Sequence, residues 1–350
     1  MINVAVIGCG YWGPNLVRNF LSTDGCCMKV ICDLDTSRLE HLRRLYPTLQ
    51  TSTSFAEVLA CPEVDAVVIA TPVRYHYEMA RRALEVGKHV LVEKPMAASV
   101  DQCRRLVELA SQKGLTLMVG HTFIYAPAVR RIKEIVASGE LGRILYVSAR
   151  RLNLGLFQKD INVAWDLAPH DISVILYVLE QMPVSVNCQG KAHVTPGIED
   201  VTNMTLTFAD GLFAIIQSSW LDPNKVRQMT FVGDRKMLLY DDMEPHEKIK
   251  IYDKRVEVPP HYDTFAEFQY SYHYGDIYSP YLKQGESLRF ECQHFIDCIR
   301  SGTAPDSNGL QGLRVVEILQ AASQSLANNG STVSVPAISL ASPTTRKAAR

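Results

Sequence analysis

A glycine-rich turn near the start of the chain constrains the fold more than any other feature. The run VAVIGCGYWGPNL, residues 4–16, passes from continuous apolar residues into the spacing Gly8-x-Gly10-x-x-Gly13. A strand that turns sharply into a helix and approaches a pyrophosphate with its backbone needs glycine, because a Cβ would clash. The helix start then offers free N–H groups and a positive dipole end to the phosphates. The spacing alone is also compatible with a tight corner between a buried strand and a helix.

The residues after the turn supply the context that a phosphate site requires. Asp33 lies twenty residues beyond Gly13, at the end of the second apolar run, KVICD. A carboxylate there accepts hydrogen bonds from the adenosine ribose, and the whole βαβ unit of about thirty residues predicts a dinucleotide site. Because Asp33 would repel a 2′-phosphate, NAD is favoured over NADP, although Arg38 is close enough in sequence to complicate this preference. The alternative is that Asp33 only caps the turn DLDTSR.

Length and charge limit the classes of protein that fit. A chain of 350 residues exceeds what one hydrophobic core usually supports, which predicts two domains. The net charge of −1, with Lys and Arg scattered along the chain, argues against a nucleic-acid partner. The longest apolar runs have the length of strands, so no membrane span is expected.

The ends and the cysteines indicate a cytoplasmic protein. Met1 leads directly into a predicted strand, without the basic region and cleavage site of a secretory signal. The nine cysteines form no C-x-x-C pair and no spacing typical of metal ligands. We therefore expect reduced thiols, no bound metal and a cytoplasmic location.

Strand and helix patterns alternate over the first 120 residues. Apolar runs without polar alternation predict buried strands at 3–8, 29–33, 65–72, 89–95 and 115–121. The stretches between them have helical spacing, and Gly87 and Gly114 stand where helix C-caps belong. This order predicts a doubly wound parallel sheet, a Rossmann domain, over residues 1–122.

The pattern changes after about residue 143. Strand-like runs follow one another through short turns, which is typical of an antiparallel sheet. Two helical patterns come late, at 287–302 and 309–330. We predict a second α/β domain over 123–335 with a mostly antiparallel open sheet, for substrate binding and oligomerisation, and a flexible tail over 336–350.

Two further groups of residues have the types that acid–base chemistry needs. Glu93-Lys94-Pro95 ends a predicted strand at the edge where open parallel sheets bind ligands, and a partly desolvated Lys94 can donate a proton. Asp166 and His170 are four apart in NVAWDLAPHDIS, so a helix places them on one face. A histidine oriented by a carboxylate is a general base near neutral pH. An exposed strand-end lysine and a structural histidine are the alternatives.

Several motifs taken together resemble the glucose–fructose oxidoreductase / inositol dehydrogenase / rhizopine catabolism (Gfo/Idh/MocA) family. They are GCGYWG, EKP, APAVRRIKEIVASGELGRI and WDLAPHDIS, and the resemblance runs from residue 2 to about 330. It implies a Rossmann domain, a second domain whose sheet forms oligomer contacts, and NAD(P)-dependent oxidation or reduction at a sugar or cyclitol carbon. The family's catalytic lysine falls on Lys94, and its Asp-x-x-x-His pair falls on Asp166 and His170.

The chain departs from the family pattern around its substrate positions. Asn162 to Trp165 stand where many members carry glycines, Ser173 replaces a common Asp, and HTFIYAP lacks an Arg that many members place before a Phe. The pocket is therefore not a standard inositol or glucose pocket. GYWGPNLVRNF and WDLAPHD look most like members that act on nucleotide-linked sugars in polysaccharide and lipopolysaccharide pathways. Our specific prediction is oxidation of UDP-N-acetylglucosamine at C3.

The predicted mechanism assigns roles to a set of residues. His170 takes the hydroxyl proton, Asp166 fixes the tautomer of the histidine, and Lys94 stabilises the developing alkoxide. The residues expected to bind the cofactor are Gly8, Gly10, Tyr11, Trp12, Gly13, Asp33, Arg38, Thr71, Pro72, His76, Glu93 and Lys94. Those expected to bind the substrate are Lys94, Tyr125, Asn153, Trp165, Asp166 and His170.

Other functions remain compatible with the same residues. They are a myo-inositol or glucose-type dehydrogenase, an NADPH-dependent sugar 3-ketoreductase, and a non-catalytic NAD-binding regulator. The aromatic run at 261–281 either stacks on a sugar or uracil or is a loop of packed tyrosines. Apolar residues on both faces of FAIIQSSWL predict a homo-oligomer, a tetramer rather than a dimer.

Overall fold

The computed structural model describes residues 1–257 and 271–336, which form two compact units. The first unit contains Met1–Gly120, Glu291–Glu317 and the residues from Val335, and the second contains His121–Phe290 and Ile318–Ser334. Residues 291–317, which we had expected in the second domain, group with the first. Phe295 packs edge-on against Phe20 at 6.3 Å, and Ser307 Oγ donates to the Val119 carbonyl at 2.7 Å. Residues 337–350 of the predicted tail lie outside the described part.

The first unit is built on a six-stranded parallel sheet. Its strands are β1 (Ile2–Ile7), β2 (Cys26–Cys32), β3 (Gln50–Ser52), β4 (Ala66–Ile69), β5 (His89–Glu93) and β6 (Leu117–Gly120). The helices between them are α1 (Gly13–Leu21), α2 (Thr36–Leu45), α3 (Phe55–Ala60), α4 (Val73–Glu85) and α5 (Val100–Lys113). The strand order β3-β2-β1-β4-β5-β6 is that of a doubly wound dinucleotide-binding fold, which confirms the predicted Rossmann sheet.

Local signals account for these elements. β4 is buried along its whole length, as the absence of polar alternation predicts for a strand covered on both faces. Ser99 caps α5 by accepting from Gln102 N, and Gly114 ends the helix with φ of 65°. Gly87 takes φ of 80° just after α4. The glycines that the sequence placed at helix ends therefore adopt the left-handed conformation there.

The second unit is built on a nine-stranded sheet. A 3₁₀ turn (Thr122–Tyr125) and α6 (Pro127–Ala137) come first, and α7 (Val163–Leu179) follows β7 (Ile144–Leu154). The other strands are β8 (Ser185–Lys191), β9 (Val201–Thr207), β10 (Phe213–Ser219), β11 (Leu221–Gly233), β12 (Met237–Asp241), β13 (Ile249–Glu257), β14 (Ser271–Tyr278) and β15 (Val333–Ser334). The late helices are α8 (Ser287–Ser301) and α9 (Gly309–Ala327).

The sheet of the second unit is mixed rather than purely antiparallel. Its order is β14-β13-β12-β11-β7-β10-β9-β8-β15. All pairs are antiparallel except β7 with β10, where Tyr146 pairs with Phe213 in a parallel register. The mostly antiparallel prediction is confirmed. The parallel pair was missed because α7 and two strands separate β7 from β10 along the chain.

The two faces of this sheet differ in burial. The inner face carries Val147, Ala149 and Phe231, all fully buried. The outer face leaves Phe213 and Ile215 of β10 more than a third exposed, and Phe213 stacks on Tyr146 at 5.7 Å. The second unit thus presents apolar side chains on a sheet face that its own helices do not bury.

Two features are absent from residues 1–257 and 271–336. No helix there is long and apolar enough to cross a membrane. The same residues contain no group of three or more His, Cys, Asp or Glu side chains arranged to hold a metal ion.

Candidate active site

In the turn after β1, the protein backbone has open space at one of the three glycines, where a ligand phosphate could approach it. Gly8 has φ of 94°, and a Cβ there would lie 2.6 Å from the Ala70 carbonyl oxygen. A Cβ on Gly13 would collide with the carbonyl oxygen of Gly8. A Cβ on Gly10 would meet only Arg38 Nη1, at 3.6 Å. Packing therefore explains the first and third glycines, while the second leaves room for a phosphate to approach the chain.

The start of α1 has the features of an anion site. Trp12 occupies the N-cap position, and among the described residues no side chain caps it. Pro14 lies in the first turn, where its missing N–H costs nothing. The remaining first-turn N–H groups and the helix dipole favour a negative charge at this end.

Asp33 closes the turn on the side of β2. Its carboxylate accepts from Cys9 N at 2.6 Å and from Asp35 N at 2.8 Å. Arg38 Nη1 lies 3.6 Å from Asp33 Oδ2, and Arg38 Nε lies 3.3 Å from Asp35 Oδ2. The guanidinium is thus shared between two carboxylates at the place where the adenosine ribose is expected.

A cavity of about 420 Å³ adjoins this turn within the first unit. Its lining combines residues of the glycine turn and the start of α1 with residues of α2: Cys9, Gly10, Tyr11, Pro14, Ser37, Arg38, His41 and Leu42. Open space at Gly10, an uncapped helix start and a cavity lined by Gly10 and Arg38 are the features that a dinucleotide needs. The residues present therefore fit NAD.

The loop after β5 carries the predicted lysine. Glu93 ends β5 and Lys94 follows it, before a cis peptide bond to Pro95. Burial raises the pKa of Glu93 to about 7, although the neighbouring Lys94 charge lowers it.

His76 has a different role from the predicted one. It is 1% exposed, with Nδ1 at 2.8 Å from the Pro95 carbonyl and Nε2 at 2.7 Å from the Thr71 carbonyl. Burial lowers the pKa of His76 despite these two backbone contacts. Both ring nitrogens face protein carbonyls, and the neutral imidazole donates to one of the two, so neither nitrogen faces open space for the cofactor.

In the second unit, α7 carries the predicted acid–base pair. Asn162 begins the helix by accepting from Trp165 N at 3.1 Å. Asp166 and His170 then stand one turn apart on the helix, as the spacing predicted. Asp166 Oδ2 accepts a hydrogen bond from Trp220 Nε1 at 3.1 Å. Trp220 itself is 1% exposed, so the carboxylate is anchored to a rigid core residue.

His170 lies against an aromatic ring that the sequence analysis did not assign. Its imidazole meets Phe123 edge-on, with ring centroids 4.9 Å apart. The Arg151 guanidinium lies 4.5 Å from the same ring and pairs with Asp171 through two hydrogen bonds of 2.9 and 2.8 Å. A sequence signal exists only for Arg151, because an arginine at an inward position of a buried strand needs a partner.

The other predicted substrate residues have mixed environments. Tyr125 is 3% exposed, with the Arg130 guanidinium 5.2 Å from its ring. Trp165 donates its indole N–H to Ser323 Oγ at 2.8 Å. Asn153 is half-buried on β7. Residues 261–270 of the aromatic run lie outside the described part, and residues 271–278 form β14.

The predicted residues divide between the two units. Those expected to bind the cofactor, Gly8 to Lys94, all belong to the first unit. Tyr125, Asn153, Trp165, Asp166 and His170 all belong to the second.

Relatives and solved structures cover nearly the whole chain. Scyllo-inositol 2-dehydrogenase (NAD⁺) of Bacillus subtilis strain 168 is 24% identical, over 93% of this chain and 94% of its own. D-apiose dehydrogenase of Paraburkholderia graminis is 22% identical, over 97% and 91%. UDP-N-acetylglucosamine 3-dehydrogenase GnnA of Acidithiobacillus ferrooxidans has a TM-score of 0.79 at 22% identity, over 94% and 99%. Levoglucosan dehydrogenase in complex with NADH and levoglucosan has a TM-score of 0.81 at 21% identity, over 96% and 100%. At these identities, the two structures show a shared fold.

Two family models match consecutive parts of the sequence. The model described as oxidoreductase family, NAD-binding Rossmann fold, matches residues 2–121. The model of the GFO/IDH/MocA C-terminal domain matches residues 129–239. Together they cover more than half of the chain and confirm both the resemblance and the nicotinamide cofactor. The chain is a member of the Gfo/Idh/MocA oxidoreductase family, with an NAD-binding Rossmann domain.

Proposed function

We propose that the protein is an NAD-dependent dehydrogenase that oxidises a hydroxyl group of a nucleotide-linked sugar, with UDP-N-acetylglucosamine at C3 as the specific candidate. The observation that carries the proposal is the α7 pair, in which Asp166 is anchored by Trp220 one turn from His170. Lys94 in the EKP loop supplies the cationic donor. Relatives named as dehydrogenases of apiose and scyllo-inositol support a polyhydroxylated substrate.

The proposed mechanism divides the work among three side chains. His170 takes the proton of the substrate hydroxyl. Asp166 stabilises the imidazolium that forms. Trp220 restricts the positions that the Asp166 carboxylate can adopt. Lys94 hydrogen-bonds the same substrate oxygen and stabilises the negative charge that develops on it. When bound, NAD supplies the hydride acceptor.

Three alternatives use overlapping residues. A myo-inositol or glucose-type dehydrogenase is supported by the scyllo-inositol relative. A sugar 3-ketoreductase would use Lys94 and His170 for the reverse reaction, because a catalyst accelerates a reaction in both directions. A non-catalytic NAD-binding regulator has no need of either residue, so their presence argues against it. We place the reaction in the cytoplasm.

The experiment is an assay of NADH absorbance with NAD and a panel of sugars. The panel contains UDP-N-acetylglucosamine, other UDP-sugars, glucose and the inositols, and we expect turnover with a UDP-sugar. His170→Ala and Lys94→Ala should each lower kcat by about 100-fold or more, and His170→Ala should leave NAD affinity unchanged. His193→Ala is the matched control, because His193 also bonds a carboxylate, Asp200 Oδ1 at 2.7 Å. A His170 variant that is unstable yet fully active per folded molecule would end the catalytic assignment.

We also propose a homo-oligomer, a tetramer rather than a dimer. Support comes from the outer sheet face, where Phe213 and Ile215 are exposed. Light scattering at micromolar concentration should give a multiple of the chain mass. Ile215→Asp should lower that mass. Thr205→Asp, at the cross-strand position on β9, tests whether a charge at a neighbouring position of the same face also lowers the mass. A wild-type monomer would refute the proposal.

A further inference from the structure

Two arginines stand directly opposite each other on the inner face of the second unit's sheet. Arg151 of β7 and Arg227 of β11 are cross-strand partners in the antiparallel register. Side chains at such positions come within about 5 Å of each other at Cβ, and like charges there are destabilising. The chain must therefore offset this repulsion with acidic partners or use the charge for binding.

The positive charge of Arg151 is balanced by one buried carboxylate. Its guanidinium makes two hydrogen bonds to Asp171, and the side chains of both residues are less than 8% exposed. A bidentate buried pair of this kind uses both carboxylate oxygens. Arg151 is also buried, so its remaining N–H donors do not reach a ligand in solvent.

Arg227 is held much more loosely. Its side chain is 35% exposed, and its Nη1 lies 3.5 Å from Asp242 Oδ2. Asp242 has other partners, because its Oδ1 accepts from Tyr240 at 3.1 Å and from Lys248 at 3.3 Å. The cluster of Arg151, Arg227, Lys248, Asp171 and Asp242 therefore contains three cations and two carboxylates. Because Arg151 and Asp171 are buried as a pair, the surplus positive charge lies with the partly exposed side chains around Arg227.

The surplus charge lies next to the proposed base. The Arg227 guanidinium is 5.8 Å from the centre of the Phe123 ring, and the His170 ring is 4.9 Å from it. These two distances limit the separation of Arg227 from His170 to about 11 Å. A sugar hydroxyl at His170 and an anionic substituent of the same molecule can both be reached across such a span.

We propose that Arg227 binds an anionic group of the substrate and so sets which hydroxyl is presented to His170. The group is a phosphate of a nucleotide-linked sugar or a carboxylate of a sugar acid, since a guanidinium recognises both through paired hydrogen bonds. This inference rests on the proposed function, because it assumes that His170 acts on the substrate. It adds that a neutral free sugar is a poor substrate.

The test is equilibrium binding to the NADH-loaded protein, measured by calorimetry. The probes are UDP for the phosphate and D-glucuronate for the carboxylate, with D-glucose as the neutral reference. Arg227→Met should weaken binding of one anionic probe by about 10- to 100-fold, the usual effect of removing a charge-assisted hydrogen bond. The probe that is affected identifies the source of the anionic group. Arg227→Lys should restore part of the affinity, because it keeps the charge but not the fork.

Arg150→Met is the matched control. Arg150 is an exposed arginine on the opposite face of the same strand, paired with Gln228 of β11, and we expect no change in affinity. Melting curves show whether each variant is folded. Three results would overturn the inference: wild-type protein that binds neither anionic probe, Arg227→Met with wild-type affinity for both, or an equal loss in Arg150→Met. If binding behaves as expected but no sugar is turned over, the proposed function fails while the anion site stands.

Discussion

Trp220 donates its indole N–H to the carboxylate of Asp166 at 3.1 Å, which ties α7 to the junction of β10 and β11. Trp220 N also donates to the Asp200 carbonyl at 2.9 Å, and Phe157 packs on the indole at 5.5 Å. The indole is therefore held from several sides. Because Asp166 accepts from a fixed donor, its position one turn from His170 does not depend on its own rotamer freedom.

This arrangement predicts that Trp220 acts on the reaction through Asp166. Trp220→Phe keeps an aromatic ring but removes the donor, so kcat/KM should fall by about 10-fold. Asp166→Asn should lower it further, yet less than His170→Ala, because a base is still present. NAD affinity should stay unchanged in both variants. Steady-state kinetics and NAD titrations measure these effects.

The control for Trp220 is another buried aromatic of the same unit. Phe231 on β11 is fully buried on the inner face, so Phe231→Leu should lower the melting temperature without changing kcat/KM of the folded fraction. If Phe231→Leu and Trp220→Phe reduced kcat/KM equally, the effect would come from loss of packing, and the role of the indole N–H would be wrong.

The glycine turn predicts opposite results for two alanine substitutions. Gly10→Ala places its Cβ in ordinary contact with Arg38, so stability should change by less than about 1 kcal/mol while NAD binding weakens at least 10-fold. Gly13→Ala meets the Gly8 carbonyl and should destabilise the fold itself, by about 2 kcal/mol or more. Melting curves with and without NAD separate the two effects. A Gly10→Ala variant with wild-type NAD affinity would exclude a phosphate contact at this position.

The environment of Asp33 predicts selectivity between the two nicotinamide cofactors. The carboxylate should repel a 2′-phosphate, so NAD should bind at least 10-fold more tightly than NADP. Asp33→Ser should narrow this ratio, and Arg38→Ala should leave it or widen it. Quenching of tryptophan fluorescence measures both affinities. Equal or tighter binding of NADP would move the assignment of selectivity from Asp33 to Arg38, whose guanidinium is 3.6 Å away.

Glu317 of α9 predicts a pH-dependent stability outside the proposed catalytic residues. It is 6% exposed, and burial raises its pKa from the ordinary 4.5 to about 7, although Arg104 and Arg314 lower it. Between these two pH values the folded chain keeps a proton that the unfolded chain has released. The folded state therefore loses stability as pH rises through this window and loses no more above it.

Glu317→Gln removes this pH dependence. The free energy of unfolding of the variant should therefore rise relative to that of the wild type from pH 4.5 to pH 7. The difference at pH 8 should be on the order of 1 kcal/mol or more. Chemical denaturation at several pH values measures it. Glu108→Gln, at an exposed position of α5, is the control and should show no such trend. Parallel curves for wild type and Glu317→Gln would contradict the prediction.

The sequence by itself determined the features that depend on short stretches of chain. Apolar runs without alternation predict buried parallel strands, and Gly8, Gly10, Gly13 and Asp33 mark a dinucleotide turn, because sterics and strand period act between near neighbours. The four-residue spacing of Asp166 and His170 places them on one helix for the same reason.

Only the tertiary structure decided which distant residues meet. Trp220 reaches Asp166, Arg227 stands opposite Arg151, and β10 pairs in parallel with β7, although long stretches of chain separate each pair. His76 was expected to bind the cofactor, yet its two ring nitrogens face backbone carbonyls of Pro95 and Thr71. Local propensity carries no information on which strand becomes a neighbour. These contacts form because the chain buries its apolar surface as a whole. Which distant residues meet is therefore decided only in the folded structure.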